Sequence, residues 1–285
     1  SLGYNDIRLC YISPRFTAYR FRKILSNFQP HVVGFYTTCD QFRFIKKLLQ
    51  DINDPSVFTI CGGPHATLNP EIIYESNRLN AVCIGEGEQP FLELIKTLER
   101  KEEPLYIKNL WIRNRDKIIK NETRPFMENI DKLPFVDREL FVQNKIRNRI
   151  GLTQISYKNS FRISRGCPYQ CSFCSNKQIA AAQSGCFLRI RSVDNVLTEI
   201  ETIVKRFSPL EIYFEDDTFT INESFLDEFC DKYPQRIGLP FEFFAHINNS
   251  TLRILKKLRK AGGRRVSFGI ESGNEELRTV SYTHL

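Results

Sequence analysis

Three cysteines fall within eight residues of the segment SRGCPYQCSFCS, which covers residues 164–175. Cys167, Cys171 and Cys174 follow directly on a predicted strand, so they lie on a strand-to-helix loop. Three thiolates on one short loop can hold three irons of a [4Fe-4S] cluster and leave the fourth iron open. A structural zinc site needs four protein ligands, and Cys186 is the nearest further cysteine, without a partner. The spacing therefore favours an open cluster over zinc or ordinary thiols.

The composition is that of a globular protein with room for two domains. The chain has 285 residues, 41% of them hydrophobic, and no apolar run approaches the roughly 20 residues that a membrane span requires. Its nine cysteines are an odd number in a large chain, which favours reduced thiols and a cytoplasmic location. The net charge of +8 comes from Lys and Arg spread over helices such as LRILKKLRK, so we do not expect nucleic acid as a partner.

Both ends of the sequence have the features of a gene fragment. The chain opens on SLGYNDIRLCYI without an initiator Met, as though an earlier strand preceded it. Residues 280–285, VSYTHL, break the preceding helical pattern and resemble a translated sequencing-library adapter. We therefore expect truncation at both ends and a non-native tail over 280–285, and we expect this fragment by itself to be inactive.

Residues 1–104 alternate β-branched runs with helical stretches, a pattern typical of parallel α/β sheets. It predicts an α/β domain with a flavodoxin-like, Rossmann-type doubly wound sheet that lacks its first strand. The predicted strands are Ile7 to Ile12, Val32 to Tyr36, Val57 to Cys61 and Ala81 to Ile84, and the predicted helices lie near 18–28, 41–52, 70–77 and 88–100.

The alternation stops over residues 105–160, where Pro-marked polar segments and a short hairpin predict a linker. It resumes over 161–279 with four βα units, which predict a partial TIM-like (β/α) barrel. The predicted strands are Phe161 to Ser164, Glu211 to Phe214, Phe241 to Ala245 and Arg265 to Ile270, with helices near 193–207, 222–232 and 250–261.

The segment ISRGCPYQCSFCS resembles the CxxxCxΦC loop of the radical S-adenosylmethionine (SAM) superfamily. This resemblance implies that the open iron binds the amino and carboxylate groups of SAM. Reduction of the cluster would then cleave the sulfonium to a 5′-deoxyadenosyl radical. Phe173 would cover the adenine or shield the cluster.

Two further strand ends extend this resemblance. LEIYFEDDTF places Asp216 and Asp217 where the superfamily holds the methionyl ammonium of SAM, although a helix-capping or divalent-metal role is also open. GIESG places Glu271 and Ser272 where the fourth strand approaches the ribose and carboxylate of SAM, although Glu271 also suits the start of a helix.

Two glycine loops in the N-terminal domain, CGGPHATLNPE and IGEGEQPFLELI, each follow a predicted strand. Glycines let the backbone approach a bulky ligand, and the second loop leads into a helix whose amides could hold polar groups. Together with the cysteine loop, they resemble the cobalamin-binding domain of one large radical SAM branch. The resemblance implies corrin or nucleotide-tail contacts from eight residues: Thr37, Thr38, Gly62, Gly63, His65, Gly85, Glu86 and Gly87.

The D-x-H-x-x-G fingerprint of other cobalamin proteins is missing. QPHVVG supplies His31 and Gly34, but Gln29 stands where the acid would be. The resemblance therefore implies cobalt without a protein imidazole as its lower ligand.

Four other cysteines suggest a rival family, the tRNA methylthiotransferases, which carry a second cluster in an α/β domain. These are Cys10, Cys39, Cys61 and Cys83. Each lies at or beside a strand, where a cysteine commonly serves as a small apolar residue, and the glycine loops favour cobalamin.

The sequence is therefore interpreted as a cobalamin-dependent radical SAM enzyme that uses a [4Fe-4S] cluster, SAM and cobalamin. Its most favoured reaction is radical C-methylation of a small-molecule or natural-product substrate, with a reducing partner such as flavodoxin or ferredoxin. The alternatives are a cobalamin-assisted cyclase or rearrangement enzyme, a tRNA methylthiotransferase, and a non-catalytic sensor. No residue is identified as an acid or base toward the substrate.

Overall fold

The computed structural model describes residues 4, 6–12, 16–143 and 158–281. The chain divides into two compact units. The N-terminal unit comprises Ile12–Phe126 and Ser175–Gly185, and the barrel unit comprises Ser1–Tyr11, Met127–Cys174 and Cys186–Leu285. Part of the predicted linker, residues 144–157, and the end of the expected tail, residues 282–285, lie outside the described residues.

The N-terminal unit is an α/β fold, as the sequence predicts. Its elements are α1 (Ala18–Phe28), β1 (Val32–Tyr36), α2 (Cys39–Gln50), β2 (Phe58–Gly62), α3 (Pro64–Leu68), β3 (Ala81–Cys83), α4 (Glu88–Glu99), β4 (Leu110–Asn114) and β5 (Lys117–Lys120).

The sheet of this unit has the strand order β1-β2-β3-β4-β5. The first three strands are parallel, with Val32 opposite Phe58 and Ile60 opposite Ala81. The hairpin expected between residues 105 and 160 is present as β4 and β5, and β4 pairs antiparallel with β3. The carboxyl ends of β1, β2 and β3 therefore share one edge of the sheet.

One strand predicted for the N-terminal domain is absent, and one predicted helix is of a different type. The segment Ile7 to Ile12 is not a strand, because it joins no ladder and its Ile7 and Tyr11 side chains are about half exposed. The helix predicted over 70–77 is a 3-10 helix, Pro70–Glu75, which follows the unpredicted α3. Pro64 at the first position of α3 is the sequence signal for that helix.

The barrel unit has strands at all four predicted places, but the predicted strand Phe161 to Ser164 is divided into two short strands, of which the second pairs antiparallel outside the main sheet. Its elements are α5 (Glu139–Gln143), β6 (Ser160–Phe161), β7 (Ser164–Arg165), β8 (Arg189–Ile190), α7 (Val193–Phe207), β9 (Ile212–Phe214), α8 (Glu223–Arg236), β10 (Phe241–Ala245), α9 (Leu252–Ala261), β11 (Gly263–Phe268) and α10 (Glu275–Ser281). A further helix between β7 and β8 in the chain, Asn176–Ala181, belongs to the N-terminal unit and is called α6 here.

The main sheet of the barrel unit has the order β11-β10-β9-β6, with every pair parallel. One face of this sheet packs on α7, α8 and α9 through a large aromatic core. Phe214, Phe219, Phe229 and Phe241 are each at most 1% exposed, and their rings meet edge-on or tilted. This core fixes the strand ends, from which the cysteine loop and the acidic segments begin.

Candidate cluster and cofactor site

The cysteine loop begins after β6 and β7, as the sequence predicts. Cys167, Cys171 and Cys174 are half-buried thiols, and none of them is in a disulfide. The Cys174 amide donates a hydrogen bond to the Cys171 carbonyl oxygen at 3.1 Å, which closes the second half of the loop into a turn. The loop therefore holds three thiols on one short, turned segment.

The pKa values of these thiols show that they and two acidic residues lie close together. Burial raises the pKa of Cys167, and the charges of Asp217 and Cys174 raise it further. Burial likewise raises the pKa of Cys171, with added repulsion from Cys174 and Glu271. Bound iron would act in the opposite direction on Cys167 and Cys171, because a nearby cation favours the thiolate.

The three sulfurs do not form a site for one metal ion. Among the residues that the structure describes, no group of three or more His, Cys, Asp or Glu side chains converges on a single ion position. In a cubane cluster each thiolate binds a different iron, so the ligands stand farther apart than around one ion. The loop supplies three cysteines, one fewer than the four protein ligands of a structural zinc site.

Asp216 lies beneath this loop rather than facing it. Its side chain is buried, and its carboxylate accepts hydrogen bonds from the Ile163 amide at 3.0 Å, the Ser164 amide at 2.7 Å and the Ser164 hydroxyl at 2.6 Å. Burial raises its pKa to about 6, and these donors act in the opposite direction. Asp216 thus joins the end of β9 to the strand segment that leads into the cysteine loop.

The other predicted SAM residues lie at the surface. Asp217 and Glu271 are exposed and close enough to Cys167 and Cys171, respectively, to act on their pKa values. Phe173 is also exposed, and Ser272 is half-buried. Glu271 has a φ of 60°, a left-handed conformation that is rare for a residue with a side chain and that clusters at functional sites.

Sequence reasoning missed a second set of residues at this end of the barrel unit. The Tyr169 ring stacks on the His246 ring with centroids 3.9 Å apart, and the Tyr169 hydroxyl donates to the Asn249 side chain. His246 directly follows β10, and a histidine at the carboxyl end of a barrel strand was the available signal. These contacts fix the half of the loop between Cys167 and Cys171.

The N-terminal unit brings its two glycine loops to one edge of its sheet. The Thr37 amide donates to the Gly62 carbonyl oxygen at 3.0 Å, and the His65 amide donates to the Thr37 carbonyl oxygen at 3.2 Å. Gly63 has a φ of 95°, and a Cβ there would lie 2.9 Å from the Thr37 carbonyl oxygen. This edge is built from closely packed backbone, which fits a group that must approach the backbone.

The predicted cobalamin residues differ in exposure. Thr37 is fully buried, and its hydroxyl donates to the Thr38 carbonyl oxygen at 2.8 Å. Thr38 is exposed and forms a capping box with Gln41 at the start of α2. His65 is half-buried with its ring 5.1 Å from that of Phe42. The remaining five, Gly62, Gly63, Gly85, Glu86 and Gly87, are half-buried.

Two amides of the second glycine loop, which precede the helix that the sequence predicts to hold polar groups, are already bonded. The Gly85 amide donates to the Thr67 hydroxyl at 3.0 Å, and the Glu86 amide donates to the Gln183 side-chain oxygen at 2.9 Å. The side chains around this loop satisfy these amides because the loop is partly buried. These two amides cannot also hold an anionic group.

Two of the four other cysteines lie inside the sheet of the N-terminal unit. Burial raises the pKa of Cys61 and of Cys83 to about 12 each. Cys39 is exposed at the start of α2, and Cys10 is half-buried in the segment before α1. Cys61 and Cys83 are buried within β2 and β3, a position where a cysteine commonly serves as a small apolar residue.

The fold, the cysteine loop and the two glycine loops together define a class of protein. A three-cysteine loop at the strand ends of a partial parallel barrel follows an α/β unit with glycine loops at its own strand ends. Residues 161–284 match the Radical SAM superfamily, and residues 7–95 match the B12 binding domain. The chain therefore carries a radical SAM domain and a B12 binding domain.

Individual relatives match over most of this chain. The chain is 30% identical over 264 residues to the uncharacterized methyltransferase PH0819 of Pyrococcus horikoshii, covering 90% of this chain and 54% of that protein. It is 24% identical over 266 residues to the anaerobic magnesium-protoporphyrin IX monomethyl ester cyclase of Rubrivivax gelatinosus, covering 88% and 45%. This chain spans about half the length of these relatives.

A solved structure has the same fold. The cobalamin-dependent SAM radical enzyme OxsB, with aqua-cobalamin and SAM bound, superposes with a TM-score of 0.71 at 19% identity. The match covers 94% of this chain and 39% of OxsB. In the part of this chain that is described, no helix has the length and apolar character to cross a membrane.

Proposed function

We propose that this chain contains the cofactor-binding domains of a cobalamin-dependent radical SAM enzyme that methylates an unactivated carbon of a small molecule or natural product. One observation supports this most strongly. The three thiols lie beside the acidic ends of two barrel strands, Asp217 and Glu271, and the same chain carries a B12 binding domain.

The cysteines and the acids have separate roles in this proposal. Cys167, Cys171 and Cys174 hold the [4Fe-4S] cluster, and Phe173 covers the adenine side of SAM. When bound, the cluster supplies the electron that cleaves SAM, and cobalamin supplies the methyl group. The exposed Asp217 carboxylate holds the methionyl ammonium, because an ionised acceptor within reach is the strongest partner for that cation.

Asp216 keeps a role in SAM binding only through the loop. Its carboxylate is already shared between two amides and a hydroxyl, so it orients the strand that leads into Cys167. Glu271 and Ser272 contact the ribose and carboxylate side of SAM. The left-handed backbone at Glu271 supports this assignment because it turns the chain at the end of β11.

The sheet edge of the N-terminal unit binds cobalamin in this proposal. Gly62, Gly63 and Gly87 let the corrin approach the backbone, and the exposed Thr38 and half-buried His65 contact its periphery. Glu86 lies beside them on the second loop. The buried Thr37 and the engaged amide of Gly85 shape the edge from behind.

A second candidate function is a cobalamin-assisted cyclase or rearrangement. The similarity to the magnesium-protoporphyrin cyclase, which extends over 88% of this chain, favours it. The tRNA methylthiotransferase alternative is not favoured, because Cys61 and Cys83 are buried within β2 and β3, where a cysteine commonly serves as a small apolar residue. We also propose a cytoplasmic location and flavodoxin or ferredoxin as reductant, supported by nine cysteines that form no disulfide.

The cobalamin part of this proposal predicts a visible result. The purified chain, incubated with hydroxocobalamin and then separated from unbound ligand, will retain corrinoid absorption at about one cobalamin per chain. A matched sample reconstituted with iron and sulfide alone gives the cluster background. A chain that stays colourless after removal of its cluster contradicts the proposed role of the N-terminal unit.

A further inference from the structure

One buried amide side chain outside the predicted site contacts the second glycine loop. Gln183 lies just after α6 and is 7% exposed. Its Oε1 accepts a hydrogen bond from the Glu86 amide at 2.9 Å, and its Nε2 donates one to the Arg124 carbonyl oxygen at 2.9 Å. Because both ends of the amide are bonded, the side chain has one preferred orientation.

The same side chain packs directly on Gly85. This glycine has a φ of 76°, and a Cβ built on it would overlap the Gln183 amide and lie 2.9 Å from its Cγ. Two features therefore require a glycine at position 85: the left-handed backbone and the close approach of Gln183. The glycine that sequence reasoning assigned to a bulky ligand is in contact with a neighbouring side chain.

The two ends of this loop are held independently. At the strand end, the Ile84 amide donates to the Asn109 carbonyl oxygen at 2.8 Å, and the Asn109 side-chain amide donates to the Ile84 carbonyl oxygen at 2.8 Å. Thr67 holds the Gly85 amide. Gln183 adds the contact at Glu86, on the side of the loop that leads into α4. Loss of the Gln183 amide would release this distal side and leave the strand end in place.

The segment that carries Gln183 has its own anchors. The Thr123 hydroxyl donates to the Ala182 carbonyl oxygen at 3.1 Å, and the Phe126 amide donates to the Ser184 carbonyl oxygen at 2.8 Å. These bonds hold the backbone on both sides of Gln183 without contacting the glycine loop. They allow the effect of the Gln183 amide to be separated from that of its segment.

We propose that Gln183 is a positioning residue for cobalamin, which holds Gly85, Glu86 and Gly87 in the conformation that receives the corrinoid. This inference rests on the proposed function of the N-terminal unit. Gln183 acts through the loop backbone and does not contact the corrinoid. The segment that carries Gln183 follows Cys174 directly. Gln183, which contacts the second glycine loop, lies nine residues after this third cluster ligand.

The test is a titration of the purified chain with hydroxocobalamin, followed by visible absorption. Gln183→Met keeps the volume of the side chain and removes both hydrogen bonds. We expect its dissociation constant to rise about tenfold, the loss that corresponds to one or two buried hydrogen bonds. Thr123→Val is the matched control, since it removes one anchor of the same segment, and its dissociation constant should change by less than about twofold.

A local readout separates positioning from general loosening. In Gln183→Met, hydrogen exchange should rise in the peptide that contains residues 85–87 and stay at the wild-type level in peptides of the barrel unit, with unchanged iron uptake. If wild type binds cobalamin and Gln183→Met binds it equally well, or if Thr123→Val weakens binding as much, the role of Gln183 is overturned. If wild type itself binds no cobalamin, the proposed function is overturned together with the inference.

Discussion

Cys171→Ala will lose the [4Fe-4S] cluster and with it all cleavage of SAM. Loss of an outer hydrogen-bond partner lowers metal affinity or activity roughly 10–100-fold, and loss of a direct ligand lowers them further. Two remaining thiolates, from Cys167 and Cys174, cannot hold an open cubane on this loop. Iron and sulfide content and the electron paramagnetic resonance spectrum of the reduced protein measure the result.

Cys186→Ser is the matched control for this variant. Cys186 is exposed, lies near the loop in sequence, and donates through its thiol to the Leu188 carbonyl oxygen at 3.0 Å. A cluster with one open iron does not need it, so iron content and spectrum should equal those of wild type. An unchanged cluster in Cys171→Ala, or its loss in Cys186→Ser, would contradict the assignment of three ligands.

Asp216→Ala will destabilise the barrel unit by about 3 kcal/mol or more, because two buried amides and one hydroxyl lose their acceptor at about 1–3 kcal/mol each. This is a large part of the roughly 5–15 kcal/mol that a domain has in total. Asp216→Asn should recover about half of the loss, since an amide oxygen still accepts from Ser164. Urea unfolding monitored by circular dichroism gives these free energies.

Asp217→Asn is expected to weaken SAM binding and to leave the stability of the protein nearly unchanged. Its carboxylate is exposed, so the free energy of unfolding should change by less than about 0.5 kcal/mol. The cluster should form normally, while the affinity for SAM falls about 10–100-fold through loss of the charged partner of the ammonium. One result would contradict these roles and reverse them. In it, Asp216→Asn weakens SAM binding at unchanged stability, whereas Asp217→Asn changes neither SAM binding nor stability.

The sequence was informative where local chemistry determines the outcome. The spacing of Cys167, Cys171 and Cys174, together with alternation of β-branched runs and helices, predicted the loop and the four barrel strands, and Phe241–Ala245 has the predicted bounds. These features depend on residues that are close together in the chain, and a sequence pattern records such residues directly. The segment Ile7 to Ile12 has the composition of a strand, but a strand also requires a partner ladder, which composition does not specify.

The division of roles between adjacent acids could not be predicted. Asp216 and Asp217 are identical in type, and the fold buries one beneath Ile163 and Ser164 while it exposes the other. Gln183 was missed for the same reason, because its partner Glu86 is 97 residues away in the chain. Contacts over such distances arise from the packed fold, so no local pattern marks them.

The measurement that tests the central claim most directly is release of 5′-deoxyadenosine by the full-length protein reconstituted with the [4Fe-4S] cluster and cobalamin, given SAM and a strong reductant. The account predicts deoxyadenosine that depends on reduction and is absent from Cys171→Ala. A protein that binds both cofactors and SAM, is reduced, and forms no deoxyadenosine would contradict the enzymatic account and support a sensor.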